Sequence, residues 1–201
     1  MIHDNVINFF LRQAEIGNWS SVSIELVEKK FNIKNKKIYK SIPEKKYFLS
    51  YYSEIIDEKI LKNISKEDFE FSSIDEIIQE FLMNKLELMN NHKFAISNIV
   101  NFYITSPKPL LINLKSSKKS IECYLEMFDY TGNIVKKKLL IKLILGVWLL
   151  AFQKWLYEED DNSKSYSIID KGLKKIKNNT KLFDLIKKKK KKNKKLRRKY
   201  K

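Results

Sequence analysis

The stretch GNWSSVSIELVEKKFNIKNKKIYKSIPEKKYFL, residues 17–49, decides the fold. Gly17 is placed to end a first helix that Asp4 caps, with Val6, Ile7, Phe9, Phe10, Leu11 and Ala14 on its inward face. Ser20 and Ser21 are capping candidates for a second helix in which Val22, Ile24, Leu26, Val27 and Phe31 are apolar; Asn32 stands where the chain must turn. A very short third helix is expected over 34–40 with Ile38 inward. Pro43, with its fixed φ and no amide hydrogen, starts a fourth that runs to about Ile64. Tyr47, Phe48, Tyr51, Tyr52, Ile55, Ile56 and Ile60 recur along it at spacings of three and four, a broad apolar stripe. Three short elements before a long fourth helix are the layout of a helix-turn-helix unit, whose third helix enters a DNA major groove.

Charge agrees with that layout. Residues 29–46 hold eight lysines against Glu44 alone, a local +7. Lys34, Lys36, Lys37 and Lys40 are candidates for phosphate contacts, Asn35 for a base edge, and Tyr39 for phosphate through its hydroxyl. A charge run is more often a plain solvated face, and Tyr39 also suits a core position; concentration of the lysines around one short helix favours the nucleic-acid reading.

Gly17, Trp19, Ile33, Ile38-Tyr39, Ile42-Pro43-Glu44-Lys45 and Phe48-Leu49 together resemble the DNA-binding domain of TetR-type regulators, over about residues 4 to 50. The resemblance implies an all-α fold. Its helix-turn-helix domain would be residues 1–50 and a helical effector-binding and dimerisation domain 51–180; residues 181–201 read from their lysine content as a basic, disordered tail. It matches Tyr39 and Lys45 to the family's phosphate-contacting residues, and Lys34 to Lys37 with Lys40 to its groove-facing positions. It also implies a homodimer on a double-stranded DNA operator, released by a small apolar ligand, with Leu145, Leu149, Ile169 and Leu173 at the dimer contact. Two positions depart from the family. Asn32 replaces a glycine and tolerates a left-handed backbone, whereas Glu28 replaces a small residue and needs a lysine partner or an outward tilt.

The chain is also similar to the ubiquinone-biosynthesis accessory lipid-binding family, which shares this architecture without needing DNA. That similarity lies around Trp19, in Leu88-Met89 to His92, in Trp148 through Trp155-Leu156 to Asp160, and in Ile169-Asp170 with Leu173. A non-enzymatic lipid-binding protein, its lysine tail touching membrane or nucleic acid, is therefore the alternative. A basic chromosome-associated protein without an effector is the third reading, and steep salt dependence would mark it.

Beyond Ile64 the stripe stops, and Ser65 to Phe71 reads as a linker. Ser73 with Glu76 matches a capping box for a helix carrying Ile74, Ile77, Ile78, Phe81, Leu82 and Leu86, broken near Asn90-Asn91. Further helices are expected over Phe94 to Tyr103, over Leu110 to Phe128, and over Ile134 to Tyr157, the last apolar on most sides as in a central or subunit-contact helix. After a solvated acidic turn at Glu158 to Asp161, Asn162 or Ser163 caps a final helix with Ile168, Ile169, Leu173 and Ile176 inward. Phe81, Phe102, Tyr103, Tyr124, Phe128, Trp148 and Phe152 are candidates to line a ligand cavity, plain core being their commoner role.

Composition sets the bounds. The 201 residues carry 41 Lys+Arg against 24 Asp+Glu, a net +17; twelve of those basic residues lie in 187–201, which leaves 29 − 24 = +5 for the rest. Only Arg12, Arg197 and Arg198 are arginines and alanine occurs three times, the pattern of AT-rich coding sequence, so codon usage accounts for part of the lysine excess. With 43% apolar residues a real core is expected. Cys123 is the sole cysteine, read as an inert buried thiol, and with only His3 and His92 beside it no disulfide or Cys/His zinc cluster is possible within the chain. The longest unbroken apolar run, Leu143 to Phe152, is ten residues against the ~18–20 that span a bilayer, so no transmembrane helix is expected. MIHDNVINFF has an acid where a signal peptide needs positive charge, which points to the cytoplasm. No paired nucleophile and base, glycine-rich phosphate loop or metal-ligand spacing occurs, so neither an enzyme nor a cofactor is expected. His92 reads as a capping or surface residue.

Overall fold

The computed structural model describes residues 2–33, 42–63, 71–159 and 161–188. Eight helices account for most of them: α1 (Ile2–Glu15), α2 (Ile24–Phe31), α3 (Phe48–Asn63), α4 (Ile74–Asn90), α5 (Lys93–Tyr103), α6 (Pro107–Leu125), α7 (Ile134–Leu156) and α8 (Ser163–Asn179). Two short strands, β1 (Phe128–Tyr130) and β2 (Ile186–Lys188), complete a mostly helical chain. Contacts divide it into a first unit, Met1–Ile55 with Met89–Ser117, and a second, Ile56–Leu88 with Lys118–Lys201. The division follows packing rather than a single cut near residue 50, because α5 joins the N-terminal helices in the first unit.

In the first unit, α1 ends where Gly17 takes a left-handed φ of 79°. No atom lies within 4 Å of where a Gly17 Cβ would stand, so conformation rather than space requires glycine there. Asn98 from α5 donates its side-chain amide to the Ala14 carbonyl at 2.9 Å, a second hydrogen bond on an oxygen that also accepts from the Gly17 amide at 3.1 Å. The expected caps of α2 are displaced: Ser20 and Ser21 lie in a 3₁₀ turn, Asn18–Ser21, and Ser23 accepts the bond from the Leu26 amide at 3.2 Å. Asn32 ends α2 at φ 50°, the left-handed turn expected of it. Pro43 does not open α3 directly; a 3₁₀ turn, Lys45–Tyr47, intervenes. Phe10, Trp19, Phe48 and Tyr52 form the core, with Phe10 and Phe48 centroids 4.9 Å apart and Trp19 5.6 Å from Phe48. Each such fully buried apolar side chain contributes about 1.5–3 kcal/mol.

The residues of α3 that belong to the second unit, Ile56 and Ile60, continue the four-residue spacing of buried Phe48 and Tyr52. The Ser73 amide donates to Glu76 Oε2 at 2.6 Å, one half of the expected capping box, and starts α4. Asn133 caps α7 by accepting from the Lys136 amide at 2.9 Å. α7 and α8 pack closely at Gly172, where a Cβ would lie 2.6 Å from Val147 Cγ2. Glu158 is no solvated turn residue: it is 6% exposed, and its carboxylate accepts from the Lys164 amide at 2.7 Å, the Ser165 amide at 3.1 Å and the Ser165 hydroxyl. It therefore caps α8 from outside the helix, against the positive end of the helix dipole.

Two further expectations are corrected. The helix expected to reach Phe128 stops at Leu125, because residues 128–130 pair antiparallel with β2, Phe128 opposite Lys188 and Tyr130 opposite Ile186. The segment assigned to a tail from residue 181 is part of the fold as far as Lys188, with Leu182, Phe183 and Ile186 buried. Beyond Lys188 the tail lies outside the described residues, as do residues 65–70 of the expected linker. α7 passes the test of length and composition that the unbroken run failed: it has 23 residues and a mean hydropathy of 1.7 over its most apolar window, 39% of which is buried.

Candidate nucleic-acid interface

The residues expected to meet DNA, Lys34, Asn35, Lys36, Lys37, Tyr39 and Lys40, lie outside the described residues. Their frame is described on both sides. The Asn32 turn leads out of α2, and Ile42, 2% exposed, leads back into the core before Pro43. Lys29 and Lys30 at the end of α2 are exposed, the Lys30 amine lying 4.3 Å from the Phe9 ring centroid. Glu28 is half-buried, consistent with an outward tilt rather than full enclosure between helices.

Lys45 is turned inward. Its Nζ donates to the Trp19 carbonyl at 2.8 Å and the Ser20 carbonyl at 3.2 Å, and stands 5.3 Å from the ring centroids of both Trp19 and Phe102. Burial lowers its pKa from the usual lysine value. The amine expected on phosphate thus fastens the start of α3 to the turn after α1. Lys46 pairs with Glu44 at 2.6 Å, which raises the Lys46 pKa, so the lysines nearest Pro43 are engaged within the protein.

The aromatic residues expected around one ligand divide between the units. Phe102 and Tyr103 belong to the first, Tyr103 edge-on to Trp19 at 6.5 Å. Phe81, Tyr124 and Phe128 cluster in the second, with Phe81 and Tyr124 stacked at 3.9 Å and the Tyr124 hydroxyl donating to the Ile77 carbonyl at 3.2 Å. Trp148 stacks on Phe152 at 5.7 Å. Burial raises the Tyr124 pKa well above the ordinary phenol value. A cleft of about 260 Å³ in this unit is lined instead by Ile60, Asn63, Glu80, Asn84, Glu87 and Leu88, none of them expected.

Of the residues assigned to a dimer contact, Ile169 and Leu173 are corrected: they are fully buried within the chain's own second unit. Leu145 is half-buried and Leu149 is 39% exposed. The uncovered apolar side chains of α7 are Ile134, Val135, Leu139, Leu149 and Leu150.

Sequence reasoning passed over the most enclosed charge among the described residues. Lys85, 2% exposed, donates to Asp57 Oδ1 at 2.6 Å and to the Ser120 hydroxyl at 3.0 Å, and its amine stands 5.4 Å from the Trp148 centroid and 5.9 Å from that of Phe81. A signal existed: Lys85 occupies the same register on α4 as Ile78, Leu82 and Met89, all buried. Cys123 is half-buried rather than enclosed. His92 precedes α5 and meets the Tyr52 ring edge-on at 6.0 Å. No group of three or more metal-ligating side chains stands together among the described residues. No family model, curated protein or solved structure matches the chain.

Proposed function

We propose that this protein is a homodimeric DNA-binding transcriptional regulator of TetR-type architecture, controlled by a small apolar effector. One observation carries the proposal. Two helices joined through the Gly17 turn, a left-handed exit at Asn32, and a return at buried Ile42 into long α3 bracket residues 34–41, a segment holding Lys34, Lys36, Lys37 and Lys40. Lys45 fastens the returning chain to the carbonyls of Trp19 and Ser20, anchoring the residues that follow the basic segment to the turn after α1. Lysines there neutralise phosphate, and Asn35 is the residue suited to a base edge. The outer face of α7, with Leu139, Leu149 and Leu150, supplies the contact with a second copy. Two recognition segments are then held about 34–36 Å apart, facing successive major grooves. The effector acts through the second unit by favouring one spacing over the other, to the extent of its difference in affinity for the two states.

The test is selection from a pool of random duplex DNA at about 150 mM salt, where non-specific contacts are already weakened. An enriched palindrome, lost when Lys36, Lys37 and Tyr39 are replaced by Ala with helix content unchanged, is the expected result. Retention without any shared sequence refutes an operator-reading role.

A further inference from the structure

From Leu88 to Ile121 the chain contains no Asp or Glu, while it contains Lys93, Lys108, Lys115, Lys118 and Lys119. α6, which begins in that stretch and runs past it, has an apolar stripe, Leu110, Leu114, Ile121 and Leu125, at spacings of four and seven. Ile121 and Leu125 are 4% exposed each, but Leu110 is 37% exposed and Leu114 36%. Leu111 beside them is 53% exposed, and Ile104 on the approach to the helix 59%. The same helix therefore buries the C-terminal half of its apolar stripe and leaves the N-terminal half partly exposed. On a helical projection Lys108, Lys115 and Lys119 border the bare leucines along one side, all three exposed. Lys118, four residues after Leu114, lies instead on the leucine face itself and pairs with Glu122 at 3.2 Å, the carboxylate that ends the acid-free stretch.

We infer that the first two turns of α6, with Ile104 before them, form a docking surface for an anionic lipid bilayer. The charge pattern selects this occupant. A twofold contact between copies would bring lysine border against lysine border, an unfavourable pairing. A nucleic acid would satisfy the lysines and leave bare leucines against phosphate. At a bilayer surface both parts are used: leucines enter the boundary between headgroups and acyl chains, and lysines extend their stems along that layer with the ammonium groups among lipid phosphates. The inference stands apart from the operator proposal, since none of its residues lies in 34–45.

Flotation of the full-length protein with vesicles tests it, using phosphatidylcholine alone or phosphatidylcholine with about a third phosphatidylglycerol, at about 150 mM salt. Binding is expected on the anionic vesicles only. Leu111→Ser/Leu114→Ser, both exposed positions, is expected to lower the partition coefficient about tenfold with helix content unchanged. Lys108→Gln/Lys115→Gln is expected to lower it by about fivefold for each lysine. Undiminished binding by the leucine variant would leave the lysine tail as the contact and overturn the inference, as would absence of binding by the parent. Loss of a dimer in sedimentation caused by the leucine substitutions, with no vesicle binding by the parent, would assign the face to a second copy instead.

Discussion

Lys45 and Lys85 both carry their ammonium groups inside the protein, the first against the carbonyls of Trp19 and Ser20, the second against the Asp57 carboxylate. Both also lie over aromatic rings, Lys45 over Trp19 and Phe102, Lys85 over Phe81 and Trp148. They differ in what compensates the charge. Carbonyl dipoles and ring quadrupoles offset it in part, Lys45 stays half-exposed so that water supplies the remainder, and burial still lowers its pKa. Lys85 is 2% exposed and Asp57 7%, so almost no water reaches the pair and a full opposite charge is needed. The first lysine fastens two chain segments at small cost; the second commits the core around it to a pair that neither partner can leave alone.

The largest expected effect follows from that commitment. Lys85→Met leaves the Asp57 carboxylate enclosed without a counter-charge and should destabilise the protein by about 3–5 kcal/mol in urea unfolding. Adding Asp57→Leu should restore most of that loss, since replacing both members of a buried pair by apolar groups is often close to neutral. A loss under about 1 kcal/mol in the single variant would break the comparison by placing Lys85 in the same class as Lys45. Lys45→Met removes hydrogen bonds to carbonyls that water can partly reach, so a loss of about 1–2 kcal/mol is expected. Ser120→Ala removes only the neutral partner of Lys85, and about 1 kcal/mol is expected, with Asp57 still in place.

The smallest effect is in the dependence on pH. Lys45 has a folded-state pKa below its unfolded value, so the unfolded chain binds more protons in the window just below pH 10.5. Its contribution to stability therefore rises as pH rises through that window. Tyr52 opposes it: burial raises its pKa to about 12, so between pH 10 and 12 the folded state keeps a proton that the unfolded chain loses, and stability falls. Unfolding measured from pH 8 to 12 should show the rise removed in Lys45→Met and the fall reduced in Tyr52→Phe. Identical profiles in parent and Lys45→Met would show that its amine is as well solvated folded as unfolded.

Local chemistry made much of the helical layout legible. Gly17 and Asn32 took the left-handed conformations expected of them, Ser73 and Glu76 began a helix, and the Asn90-Asn91 break separated two others. Each is governed by residues within a few positions of one another. Contacts between distant segments were not legible. β1 forms because residues 186–188 lie beside it, where the expected helix from Leu110 was to end at Phe128. Ser23 rather than its neighbours capped α2, a displacement within the usual range for a helix boundary. Glu158 read as solvent-facing because nothing local places α8's open amides against it. Of the candidate interface, Lys34 to Lys40 were legible as charge and composition alone, whereas the inward turn of Lys45 depends on Trp19 and Ser20, some 25 residues away in the chain.

By itself the amino-acid sequence determined the mostly helical character, the positions of the turns and the concentration of positive charge around 29–46, because backbone propensity, capping and charge are properties of short segments. Only tertiary structure decided the rest: that Lys85 faces Asp57, that Ile169 and Leu173 turn into the chain's own core, and that α6 leaves half of its leucine stripe uncovered. An amphipathic pattern specifies that a face will be buried. Which surface buries it depends on long-range packing, because the hydrophobic effect is non-directional and rewards any apolar surface that excludes water.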